Sequence, residues 1–360
     1  MIGLYIHIPF CVSKCRYCDF ASFTNRRGDM KKYVDAVIDE ARAYSGERAD
    51  TVFIGGGTPS TLDEGLMTRL VDGVAKSICI EKNAEFTVEA NPNSLTRNKA
   101  REYAALGVNR LSIGLQAAQE RLLKRIGRTH TLADFYAAID CAHNAGIDNV
   151  NADMIYSLPE QTVEDVVETA RVICKTGVKH VSAYSLILEE GTPMFDEQPE
   201  LPDDETDRRM FYAIVDELKK HGIERYEISN FAKRGYECAH NLKYWRVQDY
   251  IGLGTAAHSC YKGQRFFNAD TIDGYFENKG KKPTESEPQE LLKEKIMLNL
   301  RLCEGILLNE LPKTDVMIKK LDELIKTGFA YEKSGRFILT DRGMDIQNYI
   351  VSELFEILDN

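Results

Sequence analysis

The sequence has no uncharged apolar run of about 18 residues, so no segment is expected to cross a membrane as a helix. Nor does it start with basic residues followed by a long apolar stretch. Met1 leads into Leu4-Tyr5-Ile6-His7-Ile8, which reads as a strand and not as a signal peptide. Positive charge is not in excess: 46 Lys/Arg stand against 56 Asp/Glu, a net of −10. That balance argues against binding nucleic acid through a broad basic surface. Nine cysteines in 360 residues are too few for a secreted disulfide scaffold, and tryptophan occurs once. No internal repeat and no low-complexity tract is present. What remains is an ordinary globular composition, 43% apolar and 28% charged, expected in the cytoplasm. The length suits one large α/β domain with a small appendage.

Short apolar runs alternate with helical patterns. The expected strands are Leu4–Pro9, Thr51–Ile54, Glu85–Glu89, Arg110–Gly114, Asn149–Ile155 and His180–Leu186. The expected helices are Lys31–Tyr44, Leu62–Ile78, Leu132–Asn144 and Val163–Lys175, the last two ending at Gly146 and Gly177. Six β-then-α units predict parallel strands with right-handed crossovers. The chemical signatures fall at strand C-terminal ends, as in α/β barrels, and six units fall short of eight. The expected fold is therefore a partial, TIM-like (βα)6 barrel covering residues 1–200. Residues 201–283 would complete the barrel after an acidic turn, Pro199–Glu205, and a helix over about Glu205–His221. Residues 284–360 read as three helices, a hairpin turning at Ser334-Gly335, and a last helix over about Arg342–Leu358. That order resembles a winged helix, but residues 281–360 hold 12 Lys/Arg and 15 Asp/Glu, which disfavours a DNA-binding wing.

Cys11-Val-Ser-Lys-Cys15-Arg-Tyr-Cys18 directly follows the first strand. Three thiolates on one loop can each take one iron of a cubane. No fourth cysteine lies nearby: position 20 is Phe and the next cysteine is Cys79. One iron would then stay open to a substrate. The alternative is a zinc site, which usually pairs ligands at two points along the chain. Gly55-Gly56-Gly57-Thr58-Pro59 follows the second strand, either as a tight turn or as bare backbone letting a ligand come close.

The Cys-x3-Cys-x2-Cys spacing resembles the radical SAM superfamily, named for S-adenosylmethionine (SAM). The resemblance implies a [4Fe–4S] cluster on Cys11, Cys15 and Cys18 and SAM on its open iron. It also implies SAM contacts along the strand ends: Tyr5, Gly56, Gly57, Thr58, Glu89, Gln116, Arg128, Asp153 and Ser185. A carboxylate such as Glu89 suits ribose hydroxyls, and the Arg128 guanidinium suits the SAM carboxylate. Taken singly, Glu89 and Asp153 also read as ordinary strand-end polar residues.

Within the superfamily, Tyr5–Cys11, the Gly-Gly-Gly-Thr-Pro box and Ile155-Tyr156-Ser157-Leu158-Pro159 resemble the oxygen-independent coproporphyrinogen III oxidase family. Three features depart from the true oxidase. Phe20 replaces a fourth cysteine, an N-terminal extension is not expected, and His240-Asn241-Leu242-Lys243-Tyr244-Trp245 is present. That last run is similar to the His-Asn-x-x-Tyr-Trp motif of the HemW heme chaperones, as is the C-terminal segment. The resemblance implies heme held by His240, Tyr244 and Trp245. Imidazole is a common axial ligand and aromatic faces suit a porphyrin. On chemistry alone, His240 beside the sole tryptophan also reads as a core cluster. His7 and His258 are weaker candidates, and Cys238 reads as a semi-buried thiol or a second iron ligand.

The leading expectation is a heme chaperone carrying a [4Fe–4S] cluster and SAM and delivering heme to apo-proteins such as respiratory-chain enzymes. The rivals are an oxygen-independent coproporphyrinogen III dehydrogenase and another radical SAM enzyme acting on tetrapyrroles. Phe20 and the expected short N-terminus count against the first, and the His240 motif and short C-terminal domain count against the second. No catalytic residue, nucleic-acid partner or integral membrane segment is expected. Cleavage of SAM, an electron donor and transient membrane contact stay open.

Overall fold

The structure is a computed structural model that describes residues 1–277, 284–285 and 288–359. Its centre is six parallel strands in chain order. They are β1 (Ile2–Ile8), β2 (Arg48–Gly56), β3 (Cys79–Ala90), β4 (Arg110–Gln116), β5 (Asn149–Tyr156) and β6 (His180–Ser185). Each neighbouring pair is parallel. Helices Met30–Ala41, Leu66–Ala75, Arg97–Ala105, Leu132–Asn144 and Val163–Lys175 lie between successive strands. Leu4, Ile6, Ile8, Val52, Ile54, Val88, Leu111 and Val150 are all essentially buried in one core. Strands covered on both faces read as unbroken apolar runs, which is why the sequence shows them. The fold is the expected α/β partial barrel with a mainly helical C-terminal region.

Residues after β6 extend both edges of the same sheet. β7 (Glu224–Arg225) pairs with β8 (Asn230–Ala232), and β8 pairs antiparallel with β6. At the opposite edge, β9 (Tyr250–Leu253) runs parallel to β1. β10 (His258–Tyr261), β11 (Gln264–Phe267) and β12 (Thr284–Glu285) follow it antiparallel. Helix Ala239–Trp245 therefore falls between the strands that close the two edges.

The differences from expectation have local causes. The second expected helix starts at Leu66, not Leu62, because Pro59–Thr61 forms a tight turn and Gly65 sits at a φ of 77°. β3 starts six residues early, at Cys79, because a register shift lets Cys79 and Ile80 pair with Arg48 and Ala49. At the C-terminus the expected three helices reduce to two, Pro288–Asn299 and Asp315–Lys326. Between them stand a two-residue strand, β13 (Ile306–Leu307), and a short turn of helix. β14 (Ala330–Lys333) and β15 (Arg336–Leu339) form the hairpin, and β13 adds to it. The last expected helix breaks at Ile346 into Asp341–Asp345 and Gln347–Asp359. The expected start of this region near Thr284 lies partly outside the described residues. Ile296, Leu300, Phe337, Ile350 and Leu354 form a second core here.

Candidate functional site

The loop after β1 is tied to the loop after β2 by backbone bonds. Gly57 N–H donates to Ile8 O at 2.8 Å and Thr58 N–H to Phe10 O at 2.8 Å. Cys11, Cys15 and Cys18 all face one cavity of about 130 Å³ above the C-terminal ends of the parallel strands. Gly56, Gly57, Thr58, Glu89, Gln116, Arg128 and Asp153 line the same cavity. Sequence reasoning missed Tyr17, Asn91 and Ser112 on its wall. Asn91 and Ser112 lie within the Glu89 and Gln116 stretches, so their place at strand ends was the available signal.

The glycines are required by space. A Cβ on Gly56, at a φ of 107°, would lie 2.5 Å from His7 Cε1; one on Gly57 would lie 2.9 Å from the carbonyl oxygens of Ile8 and Phe10. Gln116 also has a positive φ, 70°, next to a register shift at the end of β4. Such backbone strain, on the order of 1–3 kcal/mol, tends to collect at binding sites. Here it accompanies an amide aimed into the cavity.

Two cysteines have polar neighbours. The Cys11 sulfur lies 3.5 Å from Thr58 Oγ1, and Arg128 Nη1 donates to Cys15 Sγ at 3.6 Å. Arg128 Nη2 donates to Gly114 O at 2.5 Å, while its buried Nε has no hydrogen-bond partner among the described residues. Burial, and the nearby Cys15 and Cys11, push the Cys18 thiol up to about 11. Among the described residues no three His, Cys, Asp or Glu side chains converge as a single-ion site would need. A cubane takes one thiolate at each of three irons, so it fits a looser triad.

The carboxylates are held by the strands beneath them. Glu89 Oε2 accepts from Gly56 N–H at 3.1 Å. Burial, then the charge of Asp153, raises Glu89 to about 8 against the pull of Gly56 N–H and Arg110. Asp153 accepts from Asn151 Nδ2 at 2.7 Å and from Ser112 Oγ at 3.2 Å. Asn151 is fixed in turn by His180, whose Nδ1 lies 2.6 Å from Asn151 Oδ1. Two carboxyls, a guanidinium with a spare N–H, an amide and bare backbone thus face a cavity beside three thiols. That set can hold a polar, cationic molecule against the thiol loop.

Five predicted residues lie elsewhere. Ser185 does not reach the cavity; its hydroxyl donates to Asp207 Oδ2 at 2.6 Å. Tyr5, Tyr244 and Trp245 line a second cavity, of about 630 Å³, on the β9–β11 side. His240 lines neither. It is fully buried beneath Tyr244, with Nδ1 2.8 Å from Thr51 Oγ1 and Nε2 2.7 Å from the Tyr244 hydroxyl. Its ring stacks on Phe53 at 5.3 Å. Burial, then the charges of Lys243 and Arg110, push it down to about 3. Glu85 caps its helix, accepting from Ala239 N–H at 3.0 Å and His240 N–H at 2.9 Å. The two cavities share Phe20, which is 62% exposed and stands on the wall of each.

Residues 5–173 match the radical SAM superfamily model. The heme chaperone HemW of Lactococcus lactis is 35% identical, over 96% of this chain and 95% of its own length. The chain belongs to the HemW family. The Bacillus subtilis HemW is 34% identical over 85% of both chains, and that of Escherichia coli is 39% identical over 71% of this chain and 69% of its own. In fold, coproporphyrinogen III oxidase (HemN) from Escherichia coli, described as a radical SAM enzyme, superposes with a TM-score of 0.86. It covers 98% of this chain and 89% of its own at 20% identity. Membership of the radical SAM superfamily implies a [4Fe–4S] cluster and SAM, and the side chains lining the three-thiol cavity suit both in their chemistry. Once bound, such a cluster offers SAM an open iron and a source of electrons. Cys11, Cys15 and Cys18 would hold the cluster, and Glu89, Gln116, Arg128 and Asp153 would orient SAM. Among the described residues no helix is long and apolar enough to cross a membrane.

Proposed function

We propose that this chain is a cytoplasmic heme chaperone that carries a [4Fe–4S] cluster and SAM, binds heme, and passes it to apo-proteins such as respiratory-chain enzymes. Residues 1–200 hold the cluster and SAM, residues 201–283 complete the barrel and carry the heme motif, and residues 284–360 form the appended domain. The observation that carries this reading is the second cavity. At about 630 Å³ it is within the size range of cofactor sites, and Tyr5, Phe20, Tyr244, Trp245 and Tyr250 offer it flat aromatic faces. The HemW relatives support the same reading through their name. Phe20 weighs against the oxidase alternative, since it fills the cluster-side wall with an apolar ring where that family carries a thiol.

The test is anaerobic incubation of the reconstituted protein with coproporphyrinogen III, SAM and a reductant, beside a heme titration. Heme should bind at about one per chain with no decarboxylated product. Catalytic formation of protoporphyrinogen IX would overturn the chaperone reading in favour of the dehydrogenase.

A further inference from the structure

Heme iron in proteins is bound through His, Cys, Met or Tyr. Among the described residues the second cavity offers no Cys and no Met, only two histidines and three tyrosines. Most of these are already engaged. His7 Nδ1 lies 3.0 Å from the Tyr5 hydroxyl, and its Nε2 lies 2.8 Å from Ala21 O. The Tyr244 hydroxyl is held by His240, and the Tyr250 hydroxyl accepts from Arg265 Nη1 at 3.2 Å. His240 itself is walled off behind Tyr244 with both ring nitrogens bonded. His258 differs from all of them. It stands on β10 facing the cavity, and its ring nitrogens make no hydrogen bond among the described residues. Phe267, opposite it on β11, stacks on its ring at 5.3 Å and 25°, which fixes the ring plane.

We propose that His258, and not the His240 of the aromatic motif, is the protein ligand of the heme iron. The inference rests on the heme-chaperone reading above. A ring nitrogen of His258 donates its lone pair to the iron, displacing water, and no proton or electron is transferred. Burial and the charge of Arg265 lower the pKa of His258, which favours the neutral, ligating form. Tyr244 and Trp245 supply the faces against which the macrocycle packs. His240 is a positioning residue: it anchors Tyr244 and, through Thr51, ties helix Ala239–Trp245 to β2. Because His258 sits on the hairpin beyond β9, the ligand comes from an edge of the sheet remote from the cysteine loop in sequence. Release to an acceptor would need only one coordinate bond to exchange.

The experiment is hemin titration of the full-length, cluster-loaded protein, followed by resonance Raman and electron paramagnetic resonance of the bound heme. His258→Ala should weaken heme by at least about tenfold, equivalent to about 1.4 kcal/mol, and added imidazole should restore the wild-type spectrum. His258→Cys should bind heme with a thiolate signature, which a merely structural role would not produce. Cluster absorbance should stay unchanged in both variants. Wild-type affinity and spectrum in His258→Ala would overturn the proposal. So would a loss that imidazole does not repair, together with a His258→Cys spectrum lacking thiolate. Absence of heme binding by the wild-type protein would instead remove the chaperone reading on which the proposal stands.

Discussion

The Nε2 atom of His240 lies 2.7 Å from the hydroxyl of Tyr244, one helical turn further along the same short helix. With Thr51 on Nδ1 and Phe53 on its face, the imidazole is a fully packed and hydrogen-bonded core group. His240→Ala should leave two hydroxyls short of a partner and a void against Phe53, costing roughly 2–5 kcal/mol of stability. Heme affinity should fall with it, because Tyr244 loses its anchor. His240→Gln, which can still hydrogen-bond, should recover part of both. Thermal melts with heme titrations check this. A changed axial-ligand spectrum in His240→Gln would show that the histidine reaches the iron after all.

Much of this was legible in the sequence. The cysteine spacing, the glycine box, Glu89, Gln116, Arg128 and Asp153 converge on one cavity because parallel strands deliver their C-terminal ends to one face. Tyr5 and Ser185 went astray for the opposite reason. Each belongs to the right strand, but Tyr5 sits one rung below the level of Glu89 and opens on the second cavity, and the Ser185 hydroxyl is turned to the Asp207 carboxylate. The structure puts His240 off both cavity walls, and a motif states which residues occur together but says nothing about which of them faces a cavity. The helix puts His240 inward against β2 and leaves Tyr244 and Trp245 on the cavity wall. Phe20 was noticed only as a missing cysteine. Its place between the two cavities depends on how the cysteine loop folds back, which spacing alone does not encode.

Acid should destabilise the protein earlier than its carboxylates require. His180 and His240 are fully buried, and both are held well below the usual histidine range, mainly by burial. Their folded pKa values are lowered, so their neutral forms favour folding. That contribution is complete above about pH 6.5 and is lost as pH falls, because the unfolded chain takes up protons that the folded one refuses. Each such histidine should cost roughly 1.4 kcal/mol per pH unit below 6.5. Glu89, raised to about 8, has the opposite sign between about 4.5 and 8 and offsets one of the two. Urea denaturation at pH 5, 6 and 7.5 should show little change from pH 7.5 to 6 and a clear fall from pH 6 to 5 in the wild type. Glu89→Gln should steepen the fall and His240→Gln should flatten it. A flat profile in the wild type would contradict the burial of these rings.

SAM binding should release a proton. In the free cavity Glu89 stays protonated up to about pH 8, because it is buried and faces Asp153. The sulfonium and ammonium of SAM bring positive charge, which favours the carboxylate and lowers that pKa. At pH 7 the binding heat should therefore vary with the ionisation enthalpy of the buffer, and affinity should rise from pH 6 to pH 8. Glu89→Gln should bind SAM without either dependence. Calorimetry in two buffers decides it: equal proton release in Glu89→Gln would place the titrating group elsewhere.

Gln116 and Arg128 should separate SAM binding from cluster holding. Anaerobic reconstitution should give about four iron per chain, and Ala at Cys11, Cys15 or Cys18 should abolish the cluster while Cys79→Ala does not. Gln116 reaches the cavity from a strained backbone and makes no hydrogen bond to a cysteine sulfur among the described residues. Gln116→Ala should weaken SAM and leave iron content and cluster absorbance unchanged. Arg128 also donates to Cys15 Sγ and Gly114 O, so it supports the cluster loop as well as the ligand. Arg128→Ala should weaken SAM and, by removing a cation beside a thiolate, also shift the cluster's reduction potential or loosen its hold on iron. Arg128→Lys keeps the charge but not the fork, so it should restore the cluster property better than SAM affinity. Potentiometry and SAM titration on the three variants measure the two effects independently. Unchanged SAM affinity in both Gln116→Ala and Arg128→Ala would show that SAM does not occupy this cavity.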